Sequence, residues 1–280
     1  MKIIVTGATG FVGRHAIAAL LARGHEVVAV ARNYEKFAAM PWKDMVTVIV
    51  RDIHADIGEL EGLLSGVNIL MHLAWPGLPN YKELFHVEET LPADYRFIKA
   101  MVEGGVKRVL VTGTCFEYGM QYGPLDESAE SRPTNPYGLA KDSLRRFLEA
   151  LERVHPFVLQ WVRLFYMYGP GQNPNSLLAQ LDRAIDAGEV IFNMSGGEQL
   201  RDYLPVEEVA RRLSFLVEHP ECRGIVNCCS GRPVSVRRLV EDHIAARKAS
   251  IRLNLGFYPY TDYEPMAFWG NPGKLSNVVS

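Results

Sequence analysis

The sequence predicts an α/β fold, a doubly wound parallel sheet with a smaller C-terminal α/β lobe. Three observations carry that prediction. Short runs of Val, Ile and Leu alternate with helical patterns through the first two-thirds of the 280 residues, the rhythm of βαβ units. Those runs are apolar at nearly every position, as strands covered on both faces must be. The first of them also ends in a glycine-rich turn that leads straight into a helix.

Taken in order, Lys2–Thr6 reads as a strand and Phe11–Arg23 as a helix, with Phe11, Ala18, Leu21 and Ala22 at helical spacing. Val27–Ala31, Val46–Val50 and Ile69–Leu73 are further strands. A long helix from about Leu84 to Glu103 precedes a strand at Val109–Thr112, and a helix from about Tyr137 to Arg153 precedes one at Phe157–Leu164. After Tyr168-Gly169-Pro170-Gly171 the pattern changes to helices near Ser176–Ala187, Val206–Glu218 and Val236–Ala246. The expected division therefore falls at about 166–167, between a βαβ domain and a smaller lobe in 167–280. Tyr258–Ser280, rich in Pro, Tyr and Gly, has no regular period and is expected to cap the lobe.

Lys+Arg number 30 against 32 Asp+Glu, a net charge of -2. That excludes a sequence-blind nucleic-acid binder, which needs a basic excess. An anionic ligand must then be met by a few placed arginines and by backbone amides. The longest apolar run, Ala16–Ala22, falls far short of the roughly 18 residues of a membrane span. Cys115, Cys222, Cys228 and Cys229 form no CxxC pair, and the eight histidines form no HxxxH or HExxH. No metal site is expected. The chain reads as a reduced, cytoplasmic protein.

Two motifs carry chemistry. In Thr6-Gly7-Ala8-Thr9-Gly10-Phe11-Val12-Gly13, the glycines permit a tight turn, close approach of a pyrophosphate and close helix–strand packing. The exposed amides and the positive helix end hold the phosphates, so Gly7, Thr9, Gly10, Phe11, Val12 and Gly13 are cofactor contacts. Tyr137 and Lys141, four residues apart on a helix, share one face. A phenol is a poor acid–base group at neutral pH, and a neighbouring ammonium is expected to lower its pKa toward a useful value.

Together these motifs resemble the extended short-chain dehydrogenase/reductases, the group of nucleotide-sugar epimerases, dehydratases and reductases, with a Rossmann-like fold. The family's strand-end Ser/Thr is matched by Thr114, its adenine-side Asp by Asp52-Ile53, and its HLA by His72-Leu73-Ala74. Arg163…Tyr168-Gly169-Pro170 resembles its RxxNxYGP, Gln199–Tyr203 its QxRDY, and Asn227 with Gly231 its NxxxG. The resemblance implies that Thr114, Tyr137 and Lys141 are catalytic and that Arg32, Asp52, Ile53, Leu73, Ala74, Tyr137 and Lys141 also face the dinucleotide. It implies a nucleotide-sugar substrate near Trp75, Thr114, Cys115, Phe116, Tyr166 and Arg201, the last on the diphosphate. It also implies that 1–166 is the NAD(P)-binding domain, with about 203–230 returning to it and the remainder of 167–280 mainly a substrate lobe, and that a homodimer is built on the two long helices.

Departures from the family narrow the reaction. Its 4,6-dehydratases carry Asp-Glu after the strand-end Thr, where this chain has Cys115 and Phe116; in an extended segment Glu117 would face the other side. Its GDP-fucose synthase branch uses a Cys at the position of Phe116 and a downstream His, absent from Asn173–Gln180. At the end of the second strand, Val30-Ala31-Arg32-Asn33 offers no carboxylate for a ribose 2′-hydroxyl but a guanidinium for a 2′-phosphate, with Arg14 placed to assist. The expectation is therefore NADP(H) and reduction of the 4-keto group of a nucleoside-diphosphate 4-keto-6-deoxyhexose. The alternatives are an NAD-dependent 4-epimerase and a non-catalytic NADP-sensing protein. Open alternatives remain for Tyr166 and Trp75 (sugar pocket or packing) and for Glu117 (pocket or solvated charge), and His86 stands where the family has Asn.

Overall fold

The computed structural model describes residues 1–55 and 66–279. Its centre is a seven-stranded parallel sheet of β1 (Lys2–Thr6), β2 (Glu26–Ala31), β3 (Thr47–Val50), β4 (Ile69–His72), β5 (Arg108–Thr114), β6 (Val158–Leu164) and β7 (Gly224–Cys228). The spatial order is β7-β6-β5-β4-β1-β2-β3. The chain winds outward from β1 to β3, then returns to the other side of β1 with β4, where Thr6 pairs with Val30 and with His72. This reversal opens a crevice at the carboxyl ends of β1 and β4, the place where such sheets take ligands.

Strand periodicity decides which residues fill which layer. Ile3 and Val5 of β1 point to a core shared with Ala16, Ile17 and Leu20 of α1 (Phe11–Ala22). Ile4 points to the opposite core, with Phe97, Ile98 and Met101 of α2 (Leu91–Glu103) and Leu144, Leu148 and Leu151 of α3 (Pro136–Val154). The first core also holds Val209, Leu213 and Leu216 of α4 (Val206–Leu216), which lies beside α1. Each such side chain contributes roughly 1.5–3 kcal/mol by burial.

Local chemistry sets the ends that matter for the site. Asn135 caps α3 by accepting from the Gly138 N–H at 2.8 Å, with Pro136 next, where a missing N–H costs nothing. The continuous helix expected from Leu84 is interrupted. His86–Thr90 forms a wide π-type turn, and the regular helix starts at Leu91. Pro92 cannot donate to the carbonyl of Glu88, which breaks the ladder there.

The C-terminal lobe packs helices Leu177–Asp186 and Val236–Ala246 around Leu181, Phe192, Met194 and Val240. The segment after Tyr258, aperiodic in sequence, contains a strand, Phe268–Gly270, paired with Gly123–Leu125, and a helix, Gly273–Val279. Single apolar residues fix both: Phe268 is buried beside Phe165 and Cys229, and Leu275 enters the main core. All four cysteines are buried and free. No helix among the described residues is long and apolar enough to cross a membrane.

Candidate active site

One cleft of about 1040 Å³ runs along the carboxyl ends of the strands and into the lobe. Its floor is the glycine-rich turn. Gly7 has φ +68°, and a Cβ there would meet Ala74 N at 2.7 Å; a Cβ at Gly13 would lie 2.1 Å from Gly7 O. No other residue fits either position. No side chain caps α1 at Gly10, and its first intrahelical bond is Arg14 N–H to Gly10 O at 3.1 Å. Apart from Gly10 N–H, which donates to Gly7 O at 2.9 Å, the helix-start amides ahead of Arg14 face a cradle with the positive helix end behind it. These features fit a dinucleotide diphosphate, with Thr9, Phe11, Val12, Leu73 and Ala74 in the same lining.

At the far end the cleft is lined by Arg32, Asn33, Lys36 and Arg51, with Asp52 and Ile53 beside them. Arg32 is exposed. Arg14 is elsewhere: its guanidinium reaches toward Thr9 O and fills the space against Gly171, outside the cleft lining.

Thr114, at the end of β5, meets Tyr137 and Lys141 from the first turns of α3 in the middle of the cleft. Gly138 allows the approach, since a Cβ there would sit 2.8 Å from Phe116 O. The three side chains are buried: Thr114 is 5% exposed, Tyr137 7% and Lys141 1%. The expected lowering of the Tyr137 pKa does not occur. Burial, aided by the nearby Tyr81, pushes the phenol well above its ordinary value, and a hydrogen bond with Thr114 opposes this only in part. Lys141 does not reverse it; burial pulls the lysine down as well, to about 8 despite the fields of Asp94 and Glu117, and it remains an ammonium at neutral pH. Tyr137 is thus poised as a proton donor.

After β5 the chain turns instead of staying extended, with Thr114 as the cap of Cys115–Tyr118. That turn swings Glu117 inward. Its carboxylate accepts from Thr114 N–H (2.8 Å), Trp161 Nε1 (3.0 Å) and Arg163 Nε (2.7 Å), all fully enclosed. Both readings of Glu117, pocket residue and solvated charge, are corrected: it is a buried counter-ion that braces the turn. Glu117→Ala leaves Arg163 buried without its partner and is expected to cost about 3–5 kcal/mol. Urea unfolding measures it, and a loss below about 1 kcal/mol would show that the pair is dispensable.

Cys115 and Phe116 line the cleft without supplying an acid–base pair, since burial holds the Cys115 thiol far above its ordinary pKa, with the Glu264 charge adding to the effect. Trp75 and Tyr166 line it too. Arg201 stops short of that lining. Its guanidinium lies between the rings of Tyr166 (5.7 Å) and Phe268 (4.9 Å) and donates to Glu264 Oε2 at 2.9 Å. The sequence reading missed Tyr81, Tyr263 and Glu264, which complete the wall. Tyr81 stands 5.6 Å from Tyr137 and 4.9 Å from Phe116 between ring centroids, and Tyr263 6.1 Å from Phe116. No periodic signal marks these residues.

A second group, of which the sequence marks Thr6 and His72 but not His54 or Asp94, backs the cleft. Thr6 Oγ1 lies 2.9 Å from His72 Nδ1, His72 Nε2 3.3 Å from Asp94, and Asp94 2.6 Å from His54 Nε2. Burial alone would raise the Asp94 pKa; the charges and hydrogen bonds of His72 and His54 outweigh it and hold it at about 2.

The sequence model of the NAD dependent epimerase/dehydratase family matches residues 3–229. The chain is 33% identical to the dTDP-6-deoxy-L-talose 4-dehydrogenase (NAD(+)) of Aggregatibacter actinomycetemcomitans, over 96% of this chain and 99% of that one. Its structure matches that of MoeE5 in complex with UDP-glucuronic acid and NAD at a TM-score of 0.83 and 28% identity, covering 99% of this chain and 92% of that one. It shares its fold with a UDP-N-acetylglucosamine 4-epimerase from Methanobrevibacter ruminantium M1, at a TM-score of 0.88 and 23% identity, covering 100% and 92%. With the dinucleotide cradle and the Thr114–Tyr137–Lys141 set facing one cleft, the chain is an NAD(P)-dependent oxidoreductase and belongs to the NAD dependent epimerase/dehydratase family.

Proposed function

We propose that this enzyme reduces the 4-keto group of a nucleoside-diphosphate 4-keto-6-deoxyhexose to the 6-deoxyhexose, with NADPH. The carrying observation is the Tyr137 phenol beside Thr114 and Lys141, with Cys115 and Phe116 where an elimination would need two carboxyl groups and Glu117 locked behind the wall. Such a set suits one ketone–alcohol exchange. The relative named as a 4-dehydrogenase is named for the same exchange written in the opposite direction.

A dinucleotide held in this cradle would supply hydride for the carbonyl carbon. Tyr137 gives its phenolic proton to the carbonyl oxygen, which becomes the hydroxyl, and Thr114 donates a hydrogen bond to the same oxygen. Lys141 holds the nicotinamide ribose and lowers the cost of leaving Tyr137 briefly as phenolate. Gly7, Thr9, Gly10, Phe11, Val12 and Gly13 hold the diphosphate, with Leu73 and Ala74 against it and Asp52 and Ile53 at the adenine. Trp75, Cys115, Phe116 and Tyr166 wall the sugar, and Arg201 takes the sugar diphosphate once Glu264 yields it. The division into a dinucleotide domain (1–166 and about 203–230) and a sugar lobe belongs to this reading. So does a cytoplasmic homodimer through α2 and α3, where Leu139 and Phe147 are exposed.

The NADPH preference is supported by Arg32, Lys36 and Arg51 around a strand end that carries no carboxylate. Relatives are named or bound with NAD, so the test is direct. NADPH should give the higher kcat/KM with the 4-keto-6-deoxy sugar nucleotides. Arg32→Ala should raise the KM for NADPH by about 10–100-fold, the worth of a charge-assisted contact, and leave NADH unchanged. NADH at least as efficient as NADPH would end the cofactor assignment, and no oxidation of either cofactor with any such sugar would end the reaction assignment.

A 4-epimerase is the second reading, favoured by the family description and by the likeness to 4-epimerase structures. It predicts purified protein that releases stoichiometric NAD(H) on denaturation.

A further inference from the structure

Lys141 is a buried cation without a counter-ion. It is 1% exposed, donates one hydrogen bond, to Thr112 O at 2.9 Å, and has no carboxylate in ion-pair range among the described residues. Water removed from an ammonium must be replaced by something. What meets this one is the face of Trp75, whose ring centroid lies 3.8 Å from Nζ. Indole is the strongest of the side-chain π-faces for a cation, and more so when both are desolvated.

The ring is held in place. Trp75 Nε1 donates to His86 Nδ1 at 3.0 Å, the two rings stack at an interplanar angle of 24°, and His86 Nε2 donates to Asn80 O at 3.0 Å. This pattern needs a neutral imidazole with its proton on Nε2. Burial and the Lys141 charge both press His86 toward that neutral form. Trp75 also stands edge-on to Tyr137, with ring centroids 5.8 Å apart. It therefore touches both members of the Tyr137–Lys141 pair.

We propose that Trp75, oriented by His86, is a positioning residue for Lys141: its indole face takes up the ammonium and fixes it one helical turn from Tyr137. The proposal rests on Lys141 belonging to the reactive set, but its test needs no turnover. The charged and titratable groups facing Lys141 are Asp94 from α2, Glu117 from the turn after β5, His86 from the π-type turn, and Tyr137 on its own helix. The two carboxylates favour the ammonium from a distance; the indole is what lies against it.

The test is a pH titration of tryptophan fluorescence, excited where tyrosine does not absorb, on the cofactor-free protein. The expected result is a transition near pH 8, where Lys141 loses its proton, present in the wild type and absent from both Trp75→Phe and Lys141→Met. Trp42, Trp161 and Trp269 remain as internal references, and near-UV circular dichroism confirms that both variants are folded. No transition in the wild type, or one that survives in Lys141→Met or Trp75→Phe, overturns the proposal. In turnover, Trp75→Leu should move the alkaline limb of the kcat/KM profile down by about one pH unit, a roughly tenfold loss of proton affinity. An unmoved limb counts against the proposal. Absence of turnover in the wild type would count only against the assigned reaction.

Discussion

Tyr137→Phe is expected to lower turnover by about 10²–10⁴-fold, the usual contribution of a positioned general acid. The substitution removes one hydroxyl and keeps the ring, which is packed by Trp75, Tyr81, His86 and Phe116. The cradle of Gly7, Gly10 and Gly13 is untouched, so the reduced dinucleotide should bind nearly as before, read by its fluorescence on titration. Loss of rate with retained binding separates a chemical role from a structural one. Turnover within tenfold of the wild type would remove Tyr137 as the proton donor.

Lys141→Met is expected to abolish turnover and, unusually for a buried substitution, to stabilise the cofactor-free fold. The folded-state pKa of Lys141 is about 8 against an ordinary value of 10.5, a cost of about 3 kcal/mol at neutral pH. Methionine keeps the unbranched stem and carries no charge. The sign follows from proton counting. Between pH 8 and 10.5 the unfolded chain binds more protons at this position than the folded one, so wild-type stability rises with pH across that window. The variant loses this rise. Urea midpoints below pH 8 and above pH 10.5 measure both effects: a gain of up to about 3 kcal/mol below the window and convergence above it. A variant less stable than the wild type below pH 8 would show that the ammonium's contacts repay its burial.

What the sequence could and could not disclose follows the range of the forces involved. The strand runs, the glycine-rich turn and the i, i+4 spacing of Tyr137 and Lys141 are local, and the sheet and the cleft assemble around them as expected. Glu117 was not legible, because the side chains that draw it inward, Trp161 and Arg163, lie 44 and 46 residues away. Arg201 was matched by motif, yet its environment is set by Glu264, 63 residues on, in a tail without period. For Tyr137 the sequence discloses only the charged neighbour, whereas burial from four directions decides its proton affinity. Trp75 and His86 each looked like an isolated oddity. Only the fold places them together against Lys141.

The central claim is that one carbon of the sugar exchanges hydride with the dinucleotide, with Tyr137 as the single proton donor. Reduced dinucleotide deuterated at its reactive carbon, incubated with a nucleoside-diphosphate 4-keto-6-deoxyhexose, tests it most directly by NMR of the product. The account predicts deuterium at C4 alone, one oxidised dinucleotide per sugar, and no solvent hydrogen exchanged at C3 or C5. An inverted sugar without net cofactor oxidation, or solvent exchange at a neighbouring carbon, would contradict it.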